Sequence, residues 1–170
     1  YGTTTTGYLV RTNANGDSLW TRIVNIGSRN GAGIYGCTEL LGDSVFAMAG
    51  YGGSSLYGNM VTARVNLNGT TLSVNTSGLL ADNAAGITKT SDGGFATSGT
   101  YANFGVRAVI TKFSYLGDKL WDMRLLLPNG LSYVSFSNGI DISETSDNGF
   151  ILSGINYLSG TPSGAADLMR

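Results

Sequence analysis

The chain contains an internal repeat, and this feature restricts its possible folds more than any other. Three Gly-Ile pairs recur every 53 residues, beginning at Gly33, Gly86 and Gly139, and a turn and a Phe-x-x-x-Gly segment follow each. A repeat of this length indicates a stacked architecture, because one unit cannot bury its apolar faces alone. The spacing predicts a single repeat domain over 1–170, with a partial unit at 1–32, units at 33–85 and 86–138, and a partial unit at 139–170.

A second element repeats between these pairs: an alternating segment, a turn glycine and another segment. The turn glycines are Gly16, Gly69 and Gly117, and a basic residue precedes each by five positions. Apolar and polar residues alternate before each turn, which is typical of β-strands. The Asn-Gly and Asp-Gly pairs favour tight hairpins, because both residues accept positive φ at low cost. The pattern predicts about four short antiparallel strands per unit and no helix.

The composition suits strands and tight turns. The 170 residues include 26 Gly and 2 Pro, and only 12% are charged, about half the usual share. The net charge is −1 and no basic cluster is present, so we expect no nucleic-acid partner. No apolar run is long enough to cross a bilayer as a helix, so we also expect no membrane span.

Large aromatic residues recur at matching positions of the units. A Trp follows the first and third turn glycines by four residues, whereas the second unit has Ser73 at that position. Because the faces of each unit must be covered, we expect the aromatic residues to fill space between units, and Trp121 to be largely buried. These candidate structural residues are Trp20, Trp121, Phe46, Phe95 and Phe150.

Four antiparallel strands in about 50 residues correspond to one blade of a β-propeller. The sequence therefore predicts an all-β, β-propeller-like fold with about three four-stranded antiparallel blades. Three units are too few to close a ring of four to eight blades. The chain also begins at Tyr1 rather than Met, so we expect a fragment of a larger ring or an assembly of copies.

The segments TSDGGFATSGTY, TSDNGFILSG and FSYLGDKLW resemble the T-x-D-G-G-[FY] and G-x-x-x-W propeller repeats of secreted bacterial and archaeal proteins, which are frequent in Bacteroidetes surface proteins. The resemblance covers nearly the whole chain. It implies structural roles for the Trp and Gly positions, export to the cell surface or the medium, and a binding or scaffolding role. It implies no catalytic residue, and Ser73 departs from its Trp position.

The residues offer little material for catalysis. The chain has no His, which excludes a Ser-His-Asp triad, a Cys-His dyad and a His-based zinc site within it. Asp92 and Asp147 recur at one turn, but one carboxylate per loop is too few for calcium. Glu144 with Asp147 or Asp141 is a weak glycosidase pair. We therefore expect no enzyme activity, no catalytic residue, no cofactor and no metal site.

The single cysteine and the recurring basic residues carry two further expectations. Cys37 has no partner for an internal disulfide and is expected to be a small buried side chain. The basic residues are expected to be solvated or ion-paired, the alternative being a cationic ring for an anionic ligand. They are Arg11, Arg64, Lys112 and Arg170.

Three functions remain open at this stage. The first is a non-catalytic extracellular binding or structural module, whose partners are flanking blades or other protein chains. The second is a propeller that binds glycans or, less plausibly, cleaves them. Its ligand rim would consist of tyrosines that follow the Phe-x-x-x-Gly segments, namely Tyr51, Tyr57, Tyr101 and Tyr157. The third is a subunit of a cell-surface assembly, held through strand edges.

Overall fold

The structure is a computed structural model that describes residues 7–24, 32–40, 45–52, 59–76, 82–101, 107–125, 133–134, 141–157 and 165–169. Every regular element among these residues is a β-strand, and none of them forms a helix. The fold is therefore all-β, as the alternation of apolar and polar residues predicts.

The described strands form one two-stranded sheet and three four-stranded sheets, all antiparallel. Sheet 1 contains β1 (Gly7–Thr12) and β2 (Ser18–Val24). Sheet 2 contains β3 (Ala32–Glu39), β4 (Val45–Gly52), β5 (Asn59–Asn66) and β6 (Thr71–Thr76) in that order. Sheet 3 contains β7 (Asp82–Lys89), β8 (Phe95–Tyr101), β9 (Arg107–Phe113) and β10 (Lys119–Leu125), also in order. Sheet 4 contains β11 (Tyr133–Val134), β12 (Asp141–Glu144), β13 (Phe150–Tyr157) and β14 (Ala165–Met169).

The four-stranded sheets have the form of propeller blades. Their first strands contact one another in succession, since β3 contacts β7 and β7 contacts β12. In sheet 4, β11 and β12 pair with one edge of β13 while β14 pairs with the other. The prediction of a β-propeller-like fold with about three four-stranded antiparallel blades is confirmed. The predicted limit between residues 85 and 86 falls inside β7.

The core is divided among three contacts between sheets, which we call the first, second and third junctions. The first joins sheets 1 and 2, the second joins sheets 2 and 3, and the third joins sheets 3 and 4. Each junction contains buried apolar residues from both of its sheets: Val24 with Met48 and Val61; Ala47 and Met60 with Phe95 and Val109; and Ala96 and Ile110 with Ile142 and Leu152.

The turns at one end of the strands share a construction in which a side chain replaces missing backbone partners. In the β1–β2 turn, Asn13 Oδ1 accepts hydrogen bonds from the backbone N–H groups of Asn15 and Asp17, both at 2.9 Å. Gly16 adopts a φ of 87°, the left-handed region that glycine enters without a Cβ clash. Asn15 does not adopt positive φ. This is a type I turn with a left-handed glycine rather than the predicted two-residue hairpin.

A bulge in the first strand explains the glycine of the Phe-x-x-x-Gly segment. Tyr35 in β3 and Ala85 in β7 are the extra residues, because pairing shifts there by one position. The bulge brings backbone oxygens so close that a Cβ at Gly50 or Gly99 would overlap them. Glycine is required at both positions by this close approach.

Strand pairing also corrects the alignment of the repeats. Gly86 pairs beside Gly99 just after the bulge of β7, and the residue at the same place in β3 is Gly36, not Gly33. The third pair, at Gly139, lies outside the described residues. By pairing, Ile142 is the counterpart of Ile87. The regular spacing of 53 residues therefore joins positions that are not structurally equivalent.

Candidate functional site

The predicted tyrosine rim lies at the end of the strands opposite the turns. Tyr51 belongs to β4, Tyr101 to β8 and Tyr157 to β13, each at or near the end of its strand. Only Tyr51 has a described side chain among them, and Tyr57 lies outside the described residues. The topology brings the three strand ends to one edge of the stack.

Tyr51 stacks on Tyr35, a residue that sequence reasoning missed. The ring centroids are 5.5 Å apart and the ring planes differ by 15°. Tyr35 is 60% exposed. Partial desolvation, with the neighbouring Tyr51 hydroxyl, raises the pKa of Tyr35 above its ordinary value. Because Tyr35 is the bulged residue of β3, only knowledge of the pairing register could have placed it here.

Trp20 and Arg11 join the two sheets of the first junction through hydrogen bonds. Trp20 Nε1 donates a hydrogen bond of 2.9 Å to the Leu67 carbonyl in the β5–β6 turn, and Arg11 donates to the same oxygen at 3.3 Å. The indole ring and the stem of Arg22 lie over Gly69, so that a Cβ there would meet both side chains. Here a side chain of one sheet caps the turn of the next.

The second junction has the corresponding turn, between β9 and β10, but different side chains contact it. Arg64 donates a hydrogen bond of 3.2 Å to the Leu116 carbonyl, and its guanidinium lies 4.7 Å from the Tyr115 ring centroid. Asn75 Nδ2 donates to the Gly117 carbonyl at 2.9 Å. Ser73 pairs with Arg64 as Trp20 pairs with Arg11, but it extends no ring over the turn.

The recurring basic residues are more buried than expected. Arg64 is 7% exposed and forms no ion pair within the described ranges, so the expectation of a solvated or ion-paired side chain is wrong for Arg64. Lys112 is 6% exposed, and its ion pair with Asp92 confirms the ion-paired alternative. Lys112 Nζ lies 2.9 Å from Asp92 and donates to the Phe113 carbonyl. Hydrogen bonds from Thr90 and Lys112 lower the pKa of Asp92 to about 2. Burial is tolerated because these charges have fixed polar partners. Arg170 lies outside the described residues.

The third junction includes the carboxylates considered above as a glycosidase pair. Glu144 accepts hydrogen bonds from the backbone N–H and the hydroxyl of Ser91, at 2.7 and 3.2 Å. Asp147 accepts hydrogen bonds within its own turn, and the one from Thr145 chiefly lowers its pKa. Asp141 accepts one from the Ile142 N–H at 2.9 Å. Each described contact of these three groups is with a turn or a neighbouring strand.

The five candidate structural aromatic residues all lie at junctions, but they differ in burial. Phe95 is fully buried, whereas Phe46 is partly buried at the first junction and Phe150 is partly buried at the third. Trp121 contacts Phe150 edge-on, with centroids 6.0 Å apart. Its 40% exposure makes the expectation of a largely buried Trp121 wrong.

In the part of the chain that the structure describes, cavities open at the first and second junctions. A cavity of about 120 Å³ at the first junction is lined by apolar groups together with Arg11 and Cys37, and Cys37 is exposed rather than buried as predicted. A groove of about 400 Å³ at the second junction lies between β5 and β6 on one side and the β9–β10 turn on the other. Its lining is Met60, Thr62, Asn75, Thr76, Phe113, Gly117, Asp118 and Lys119.

No family model matches the chain, and no curated protein matches it. Within the described ranges, no group of three or more acidic, Cys or His side chains is placed to hold a metal ion. A helix with the length and apolarity needed to cross a membrane is also not found in the part of the chain that the structure describes.

Proposed function

We propose that this chain is a non-catalytic binding or scaffold segment of an extracellular β-propeller-like repeat protein. In this proposal a further sheet of the same kind covers the free face of sheet 1, supplied by flanking blades or by another protein chain. Supply by another chain would make the protein a subunit of a cell-surface assembly. The resemblance to secreted propeller repeats and the low charge support the extracellular location.

The exposure of the free face of sheet 1 carries this proposal. Tyr8 and Ile23, which pair with each other on that face, are 62% and 68% exposed. The residues at the place of Tyr8 in sheets 2 and 3 are Val61 and Val109, and each is 2% exposed because the preceding sheet covers it. The same strand position is thus apolar in three sheets and covered in two.

The chemistry of the face also fits a partner sheet. Val10 and Thr21 pair on the same side, so this side of the two strands presents apolar and hydroxyl groups without charge. Contiguous exposed apolar groups of this kind mark contact surfaces in soluble proteins. Stacked repeats gain much of their stability at such faces.

Sedimentation velocity on the 170-residue chain and a variant tests the proposal. We expect the chain to associate, and Tyr8→Ser with Ile23→Ser to shift it toward the monomer. Leu116→Ser is the matched control, because Leu116 is also 62% exposed but lies in the β9–β10 turn. A monomeric wild-type chain with one sharp two-state unfolding transition would contradict the proposal.

A second candidate function, carbohydrate binding at the tyrosine edge, is supported by the Tyr35–Tyr51 pair. Stacked, partly exposed tyrosines offer a flat apolar face with hydroxyl groups at its margin, a surface suited to sugar rings. Loss of glycan-array signal in Tyr51→Ala would support this function. An unchanged array signal in that variant would reject it.

A further inference from the structure

The first and second junctions are built from corresponding strands and corresponding turns, but their cavities differ in volume. The cavity is about 120 Å³ at the first junction, and the groove is about 400 Å³ at the second. At the first junction Trp20 and Arg22 lie over Gly69. In β6, Ser73 and Asn75 occupy the positions that correspond to Trp20 and Arg22, as their pairing with β5 shows. Gly117 is buried as Gly69 is, but beneath these shorter side chains rather than beneath a ring. The groove lies beside it.

Packing alone does not account for these shorter residues. Ser73 Oγ is buried without a hydrogen-bond partner among the described residues, and so is Arg64 Nε. Leaving a buried polar atom unpaired is destabilising. A sequence that breaks its own repeat at a cost in stability marks a position where a function is expected.

The groove has the dimensions and the lining of a small-molecule site. Its volume lies within the range of ligand pockets, roughly 300–1,000 Å³. Met60 and Phe113 form its buried apolar part, because they are 1% and 4% exposed. Thr76, Asp118 and Lys119 are the exposed residues at its margin.

The charges around the groove select against an ionic ligand. Asp118 opposes an anion, while Lys119 opposes a cation and is itself held by Asp122 at 2.8 Å. The remaining polar lining consists of hydroxyl and amide groups from Thr62, Thr76 and Asn75. Such groups both donate and accept hydrogen bonds, as the hydroxyls of a neutral sugar do.

We propose that the groove between β5–β6 and the β9–β10 turn binds a neutral polyhydroxylated ligand, namely a short neutral oligosaccharide. Hydroxyl groups of the ligand bond to Thr76, Asn75 and Asp118, and its C–H faces lie toward Met60 and Phe113. None of its lining residues belongs to the free face of sheet 1 or to the tyrosine edge, so variants of the three surfaces test them separately.

The test is an array of neutral oligosaccharides followed by calorimetric titration of the 170-residue chain with the best-bound sugar. Ser73→Trp places in β6 the residue found at the first junction. We expect it to weaken binding about tenfold or more, because the indole occupies the ligand volume. Val74→Trp is the matched control, since Val74 pairs with Ala63 on the opposite face of the same strand and is 37% exposed. That control should bind as the wild type does.

A second variant protects the test against misfolding of Ser73→Trp. Thr76→Val removes one hydroxyl at the exposed end of β6 without filling the groove. We expect the affinity to fall about threefold or more, because one hydrogen bond to the ligand is lost. Three results would overturn the proposal. In the first, the wild-type chain binds no neutral sugar. In the second, both Ser73→Trp and Thr76→Val bind with wild-type affinity. In the third, Tyr51→Ala abolishes binding while Ser73→Trp retains it.

Discussion

The first and second junctions show how one backbone arrangement supports two different surfaces. Both place a buried or half-buried arginine against carbonyls of the following turn, through Arg11 in one and Arg64 in the other. At the first junction Trp20 closes the space above the turn. At the second, Ser73 extends no ring over the turn, and Arg64 makes a cation–π contact with Tyr115 instead. The main-chain geometry is repeated, whereas the side chains and the cavities differ: about 120 Å³ at the first junction and about 400 Å³ at the second.

The largest expected difference between the junctions lies in their phenylalanines. Phe95 is fully buried at the second junction and stacks on Phe113, with centroids 4.9 Å apart. Phe95→Ala should lower the free energy of unfolding by about 3–5 kcal/mol, as truncation of a buried aromatic does. Phe46→Ala should cost less, because Phe46 is only partly buried at the first junction. Denaturant titration measures both, and equal losses would contradict the assigned packing.

The tryptophans give the next largest effect. Trp20→Ala removes a ring packed on Gly69 and a hydrogen bond to Leu67, so we expect a loss of about 2 kcal/mol. Trp121→Ala should cost about 1 kcal/mol, because Trp121 is 40% exposed. Chemical unfolding of the two variants tests the order. A costlier Trp121→Ala would mean that a further element covers Trp121.

The Asp92–Lys112 pair has the smallest expected effect and depends on pH. The pKa of Asp92 falls from 3.8 to about 2 in the folded chain, so its carboxylate stabilises the fold above about pH 4. That stabilisation is lost as the pH falls from about 4 through 2. Because the Asp92 side chain is 57% exposed, we expect only about 1 kcal/mol.

Unfolding measured from pH 6 to pH 2 checks this prediction. The wild-type chain should lose more stability across that range than Asp92→Asn does. Asp147→Asn tests how much Lys112 contributes to the effect. Asp147 occupies the same turn position in sheet 4, but its described partners are Thr145 and Gly149 rather than a lysine. Identical pH profiles of wild type and Asp92→Asn would exclude the assigned role of the pair.

The features that sequence reasoning anticipated are local ones. Alternating residues and turn glycines such as Gly16 and Gly69 determine strands and hairpins within a few positions, so the four-stranded antiparallel units were predictable. The repeat also placed Phe95 between sheets. These inferences need no knowledge of how one unit contacts the next.

The features that were missed depend on contacts between distant residues. Arg64 is buried because its carbonyl partner at Leu116 is 52 residues away on the next sheet. Tyr35 reaches Tyr51 only because a bulge shifts the pairing of β3. The groove, too, joins β5 and β6 to the β9–β10 turn of the next sheet, and the departure from the repeat at the neighbouring Ser73 was the one visible signal of this difference in the sequence.

The most direct test of the equivalence of the junctions is a crystal structure of the Ser73→Trp variant. If the second junction is the first with its ring removed, the new indole should lie over Gly117 and fill the groove. Its Nε1 should donate to the Tyr115 carbonyl, the counterpart of the Leu67 carbonyl that Trp20 contacts. An indole turned into solvent, with the groove open and the Arg64–Tyr115 contact unchanged, would contradict the account.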